Sequence, residues 1–134
     1  MAWLSKYQPY LLSVLRIVAG ILFLEHGMQK IFHLPPMPAA MLAAIPPNFL
    51  PVIMTAGLIE LIGGALITLG VFTRVAAFIC SGEMAIAYWL GHFPRGGFYP
   101  ALNGGDAAIL FCFVFLFLAA AGPGPIALVR SDKV

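Results

Sequence analysis

Long apolar runs separated by clusters of proline and glycine dominate this chain. Each run is continuous rather than alternating, which predicts helices instead of the strands of a membrane barrel. Each run also approaches or reaches the roughly 17 to 25 residues that a helix needs to cross a bilayer. The pattern therefore predicts an all-α protein, an integral membrane four-helix bundle that forms a single domain over residues 1–134. The four spans are expected at about residues 10–32, 51–70, 74–91 and 105–121.

Turn-forming residues mark the ends of the predicted helices. Prolines end the first run, and Gly70 opens a tight turn into the third. Asn103 is expected to be the N-cap of the fourth helix, since its side-chain oxygen can accept a backbone N–H. Between the first two spans, residues 37–45 predict one short helix flanked by prolines.

The composition requires lipid as the solvent. The chain is 62% hydrophobic and 9% charged, with a mean hydropathy of +1.01, whereas soluble domains carry roughly 25% charged residues. A soluble globule of this size could not hide so much apolar surface. A net charge of +2 without any cluster of Lys or Arg argues against nucleic acid as a partner. The first apolar run is expected to stay in the protein, because no small-residue cleavage site follows it.

Flanking positive charges predict the orientation of the bundle. Cytoplasmic loops of membrane proteins carry an excess of Lys and Arg. Four such residues fall on one side and two on the other, which places both termini in the cytoplasm. The four are Lys6, Arg74, Arg130 and Lys133, and the two are Lys30 and Arg95.

Three ionisable residues lie deep within the predicted spans. An ionisable group at the centre of a span costs roughly 2.5–3.5 kcal/mol, so each one calls for a partner. Arg16 lies about 9 Å inside the cytoplasmic edge, and Glu60 and Glu83 lie about 14 Å inside, by the helix rise. We therefore predict that Arg16 faces the bundle interior and pairs with Glu60 or Glu83. The pair could be structural or functional.

A second polar group lies near the outer ends of the spans. We predict that it forms a pocket between spans one, three and four, roofed by the loop over residues 92–103. Glu25 and His26 are the candidates for a proton relay there. The alternative is that these groups only reach the membrane interface or cap helix ends. The members are Glu25, His26, Lys30, His92, Asn103 and Asp106.

The two cysteines do not have the spacing of metal ligands. Cys80 and Cys112 lie in different apolar runs, without a CxxC or Cys/His pattern, so no metal site is predicted. Helix rise places them about 10 Å apart in depth, which exceeds the Cα separation of about 7 Å that a disulfide allows. We therefore predict two free thiols.

Several ordered motifs resemble the DoxX family of small membrane proteins. The motifs are LRIVAGILF at 15–23, ELIGG at 60–64, LGVFTR at 69–74, NGGDAA at 103–108 and AAAGPG at 119–124. Asp106 stands where the family usually has Glu. The resemblance implies a four-helix protein of the inner membrane. The family is named after a subunit of a thiosulfate:quinone oxidoreductase, so the resemblance also implies association with redox enzymes.

These observations favour a membrane subunit or accessory of a redox system that binds a quinone or a similar lipid-soluble ligand. The sequence has no haem-type histidine pair and no flavin or nicotinamide fingerprint, so a redox partner would have to supply electrons. One alternative is a non-enzymatic membrane scaffold that docks a partner or forms a homo-oligomer. A small transporter or proton conduit is a third hypothesis. Whether the chain is itself an enzyme stays open.

Overall fold

The protein is all-helical over the part of the chain that the structure, a computed structural model, describes, which is residues 2–129. A single 3₁₀ turn over Pro47–Phe49 leads into α4, and a π-helical segment over Tyr88–His92 follows α5. The helices are α1 (Ala2–Ser5), α2 (Gln8–Phe32), α3 (Ala39–Ala43), α4 (Leu50–Leu69), α5 (Thr73–Ala87), α6 (Phe93–Gly96), α7 (Pro100–Asn103) and α8 (Asp106–Ala121).

The four long helices coincide with the four predicted spans, and α3 is the short helix expected between the first two. The third differs in detail. Helix α5 ends at Ala87, but the π segment carries the helical path into α6, so this path reaches Gly96. Single-turn π segments of this kind insert an extra residue into a helix without ending it.

Two helices of the described part are long and apolar enough to cross a membrane. They are α2 and the helical stretch Pro47–Leu69. Helix α8 is equally apolar but has 16 residues, about 24 Å of helix. The π segment follows α5 at Ala87, and Gly122 ends α8. Neither helix, taken as a single α-helix, therefore reaches the roughly 17 to 25 residues needed to cross a bilayer.

The turn between α4 and α5 depends on a left-handed glycine. Gly70 has φ +73°, and its backbone N–H donates to the carbonyls of Leu66 and Ile67. Glycine adopts this conformation without steric cost, which explains why the helix ends here. At the start of α8 the expectation for Asn103 needs correction. Gly105 is the N-cap, and the Asn103 Oδ1 atom accepts the Gly105 N–H at 2.8 Å, so Asn103 shapes the preceding turn.

Helices α2 and α4 form a closely packed antiparallel pair. Gly20 lies against Thr68, and Gly64 lies against Leu24, so residue numbers rise along one helix as they fall along the other. A Cβ atom added at Gly64 would be 2.6 Å from the Leu24 nitrogen. At Gly27 an added Cβ would overlap the backbone of Leu61. Glycine is required at these positions because the two backbones touch.

Helices α5 and α8 form the second antiparallel pair, and the two pairs meet mainly through α4 and α5. Ser81 of α5 donates to the Cys112 carbonyl of α8 at 2.8 Å, and Gly63 of α4 lies against the Cys80 Sγ atom of α5. The interior between the pairs is filled by apolar side chains. The Phe23 and Phe115 rings, both fully buried, meet edge to face at 4.7 Å between centroids.

The outward faces of the bundle are as apolar as its interior. Large aliphatic and aromatic side chains on all four long helices are about half exposed or more. Soluble monomers rarely present apolar surface of this extent. Examples are Val14, Val18, Leu58, Ile62, Phe78, Ile86, Phe113 and Phe117.

Candidate functional site

A salt bridge between α2 and α4 lies within the bundle. The Lys30 ammonium donates to the Glu60 Oε1 atom. The Glu60 side chain is 2% exposed and the Lys30 side chain 23%. Gly57, one turn before Glu60, lies against the Lys30 Cβ atom, so the close packing of the helices places the two charged groups together.

Glu83 lies at the same level as Glu60. The contact between Gly63 and Cys80 sets the register of α4 against the antiparallel α5. Glu60 precedes Gly63 by three residues and Glu83 follows Cys80 by three residues, so the two carboxyl groups lie at the same level. The Oε2 atoms of Glu60 and Glu83 are both buried and have no hydrogen-bond partner among the described residues. A buried polar atom without a partner is uncommon in folded proteins, so these two oxygens are candidates for contact with a ligand.

His26 of α2 lies near the carboxyl group of Glu60. Its ring is exposed and meets the Phe111 ring of α8 nearly perpendicularly, at 6.1 Å between centroids. His26 and Glu83 both lie within electrostatic range of Glu60. We call His26, Lys30, Glu60 and Glu83 the carboxylate cluster. It combines two carboxyl groups, an ammonium and an imidazole within an otherwise apolar bundle.

Arg16 does not belong to this cluster, and the predicted ion pair with Glu60 or Glu83 is wrong. Arg16 is 1% exposed and faces the interior, but within residues 2–129 its guanidinium donates only to backbone carbonyls. Its Nε atom donates to Pro123 at 2.9 Å and its Nη1 atom to Thr68 at 2.6 Å. The remaining acceptors are the carbonyls of Ile67 and Ile126.

The antiparallel register explains the different partner of Arg16. This register places Arg16 beside the last turn of α4, while Lys30 is the cation that lies opposite Glu60. The last carbonyl groups of an α-helix accept no i to i+4 hydrogen bond from the same helix, and they form its negative end. A guanidinium, with five N–H donors, satisfies several of them at once. Arg74 does the same for α8, donating to the Ala119 carbonyl at 3.0 Å.

The outer polar residues do not assemble into the single pocket that the sequence predicted. Lys30 turns inward to Glu60, and His26 packs against α8. The His92 Nδ1 atom lies 3.2 Å from the Asn103 carbonyl oxygen. Glu25 and Asp106 are exposed, without a side-chain hydrogen bond within residues 2–129.

The loop expected to roof that pocket is held to the bundle. The Tyr88 hydroxyl donates to the Phe98 carbonyl at 3.1 Å, and the Asn103 Nδ2 atom donates to the Gly97 carbonyl at 2.8 Å. The two donors, the Tyr88 and Asn103 side chains, are both buried. The loop is therefore held firmly between the end of α5 and the start of α8.

Both cysteines are free thiols, as predicted, but the reason differs from the one expected. Cys112 lies beside Ser81, the neighbour of Cys80, so the two cysteines are close in depth. They face different neighbours, because Cys80 packs against Gly63 of α4. In the part of the chain described, no three His, Cys, Asp or Glu side chains are grouped to hold a metal ion.

An apolar groove of about 250 Å³ runs between α4 and α5. Gly63 and Cys80 form part of its wall, next to the level of the carboxylate cluster. Its other walls are mostly aliphatic, and include Leu58, Ile59, Ile62 and Ile79.

The fold thus defines a helical protein with two membrane-length helices and an ionisable cluster in an apolar interior. The DoxX family model matches residues 11–93, which cover most of α2, all of α4 and α5 and the whole carboxylate cluster. An uncharacterized protein of Haemophilus influenzae is 42% identical over 127 residues, covering 93% of this chain and 92% of the relative. No solved structure matches the chain. The chain belongs to the DoxX family.

Proposed function

We propose that this chain is a four-span protein of the inner membrane that binds a quinone or a similar lipid-soluble ligand, as a subunit or accessory of a redox system. The observation that carries the proposal is the pair of buried, unpartnered Oε2 atoms of Glu60 and Glu83 beside the ammonium of Lys30. Membership of the DoxX family supports the same setting.

Placement of all four long helices in the membrane is supported by their outward faces. Exposed side chains such as Val18, Ile62, Phe78 and Phe113 suit contact with lipid. Helix α5 gains the length to span through its continuation to Gly96. Helix α8, at about 24 Å, fits a bilayer that thins locally around it.

The chemistry of the cluster matches the needs of a quinone. Each quinone carbonyl oxygen accepts hydrogen bonds, which Lys30, a protonated carboxyl group or His26 can donate. Reduction to the quinol takes two electrons, supplied in this proposal by a redox partner protein, and two protons. Glu60, Glu83 and the exposed His26 are groups that exchange protons, so together they form a path from the bundle surface to the ligand.

The groove between α4 and α5 offers a place for the apolar part of such a ligand. Gly63 and Cys80 line the groove, and Glu60 and Glu83 each lie one turn from them along α4 and α5, so the groove lies next to the cluster. A lipid-soluble ligand needs both elements, a few placed polar groups and an apolar lining.

Binding is tested with purified protein in nanodiscs, using short-chain benzoquinones and naphthoquinones as probes and the thermal midpoint as the readout. We expect a quinone-dependent rise of the midpoint in the wild type. Glu60→Gln and Glu83→Gln should reduce that rise, because an amide is a weaker hydrogen-bond donor to a quinone carbonyl than a protonated carboxyl group. Asp106→Asn, an exposed carboxyl group outside the cluster, is the matched control and should behave as the wild type. A midpoint that no quinone changes would refute quinone binding.

Topology is tested separately with reporter fusions. A reporter after Val134 should report a cytoplasmic location, as the excess of Lys and Arg predicts. Reporters at Met41 and Gly97 should report the outer side. Two of the charges behind this prediction, Arg130 and Lys133, lie outside the described residues. The opposite pattern would invert the proposed orientation.

A membrane scaffold is the second candidate. It is favoured by the fact that Lys30 and Glu60 already neutralise each other, as a purely structural ion pair would. In that case Glu60→Ala should impair folding or assembly and Glu83→Gln should have no effect on any ligand.

A further inference from the structure

One face of α2 carries a regular stripe of residues that are exposed, except for the half-buried Gln29. Its positions are separated alternately by four and three residues, the spacing of the a and d positions of a heptad. Leu11, Val18 and Leu22 are each about half exposed, and Phe32 is 57% exposed. We call this stripe the α2 seam. It consists of Leu11, Leu15, Val18, Leu22, Glu25, Gln29 and Phe32.

The seam faces away from the rest of the chain. Helix α2 packs on α4 through Gly20 and Gly27, and it contacts α8 through Phe23. Those residues are buried, whereas Glu25 is exposed and makes no hydrogen bond or ion pair within residues 2–129. The packing inside one copy therefore leaves the seam uncovered.

Glu25 is an exposed carboxyl group within an apolar helix, and it indicates what covers the seam. It lies about 10 Å inside the end of α2, by helix rise. Away from their ends, α4, α5 and α8 have no charged residue on their exposed faces. A carboxyl group turned to lipid at that depth is unfavourable, so it calls for a polar partner that the same copy does not provide. One turn further along the seam stands the amide of Gln29.

We propose that two copies of this chain associate through their α2 seams, side by side and parallel. A two-fold axis along the membrane normal brings Glu25 of each copy to Gln29 of the other, forming two equivalent hydrogen bonds. The apolar seam residues pack above and below these bonds. Polar residues at seam positions fix the register of paired helices and bind membrane helices together. The inference rests on the membrane placement proposed above, and it does not depend on quinone binding.

The experiment is cysteine cross-linking in native membranes. Leu22→Cys places a thiol on the seam, and Leu116→Cys places one at about the same depth on α8. The two residues are similarly exposed, at 47% and 45%. We expect an intermolecular disulfide for Leu22→Cys after mild oxidation. Neither Leu116→Cys nor the wild type, with its own two thiols, should form an intermolecular disulfide. Equal cross-linking of the two variants would indicate random collision and overturn the proposal.

A second pair of variants tests the polar contact. Glu25→Leu is expected to weaken dimerisation roughly tenfold, as the loss of two interhelical hydrogen bonds implies. Glu25→Gln should retain it, because an amide can bond Gln29 in the same geometry. Light scattering of the purified protein should give twice the 14.3 kDa of the chain for the wild type and for Glu25→Gln. A monomeric wild type, or cross-linking only to a different protein, would exclude the dimer.

Failure of this inference is distinguishable from failure of the proposed function. If alkaline carbonate extracts the chain from membranes, the chain does not span the membrane, and both the proposed function and the dimer are refuted. A monomer that stays in the membrane and still responds to quinone would refute the seam alone. Glu25 is exposed and makes no hydrogen bond or ion pair within residues 2–129 of its own copy. The thermal midpoint of monomeric Glu25→Leu is therefore expected to match that of Glu25→Gln, and this comparison checks folding.

Discussion

Lys30 of α2 donates to the carboxylate of Glu60 of α4, inside a bundle whose neighbouring side chains are mostly apolar. This salt bridge joins the two most closely packed helices of the protein. It also leaves the second oxygen of Glu60 free, at the level of Glu83.

Breaking the salt bridge should destabilise the protein. Lys30→Met leaves the carboxyl group of Glu60 buried without its cation, and we expect a loss of about 3 kcal/mol in the free energy of unfolding. The double variant Lys30→Met with Glu60→Leu should recover much of it, because no buried charge remains. Unfolding in mixed micelles measures both. Lys6→Met, at an exposed position, is the control. An unchanged free energy for Lys30→Met would mean that the pair contributes nothing.

The glycines between α2 and α4 should be intolerant of a methyl group. In Gly27→Ala the new Cβ would overlap the backbone of Leu61, so the helices must separate. We expect a loss of roughly 1–3 kcal/mol, as for other overpacked interfaces. In Gly82→Ala the new Cβ meets no atom within 4 Å, and this variant should be neutral or slightly stabilising. Equal effects of the two substitutions would contradict the close approach of α2 and α4.

Arg16 should hold the segment after α8 against the end of α4. Arg16→Met removes the donors to Pro123 and Ile126. Arg16→Lys supplies a single ammonium group in place of the planar guanidinium with its five N–H donors. Hydrogen exchange at the Leu128 amide, which donates to the Leu69 carbonyl at 3.0 Å, is expected to accelerate strongly in Arg16→Met and partly in Arg16→Lys. Arg95→Met, in α6 at the other end of the bundle, should leave this exchange rate unchanged.

The two thiols should differ in reactivity. Cys80 is 1% exposed and packed against Gly63, whereas Cys112 is partly exposed. A membrane-permeant maleimide should modify Cys112 in the folded protein and both thiols only after denaturation. Mass spectrometry of the products measures the order. Modification of Cys80 first, or a bridged pair, would contradict the observed packing.

Much of the fold was determined by the sequence alone. Continuous apolar runs predict helices because an apolar environment leaves backbone groups no partner except each other, and prolines and glycines such as Gly70 end them. The starts of α2, α4, α5 and α8 lie within two residues of the positions predicted. The burial of Arg16 followed from its place on the same helical face as Gly20 and Phe23.

The partners of the charged residues were decided by the tertiary structure. Depth along a helix was compatible with an Arg16–Glu60 pair, but depth alone ignores which helices pack together and in what register. The register of α2 against α4 places Lys30 opposite Glu60 and brings Arg16 to the carbonyls of Ile67 and Thr68 at the end of α4. The two cysteines illustrate the same limit, since Ser81 and Cys112 meet at a level that helix rise alone did not predict. A linear sequence states how far along its helix each side chain lies, whereas contacts between helices also depend on rotation and offset, which only the packed bundle fixes.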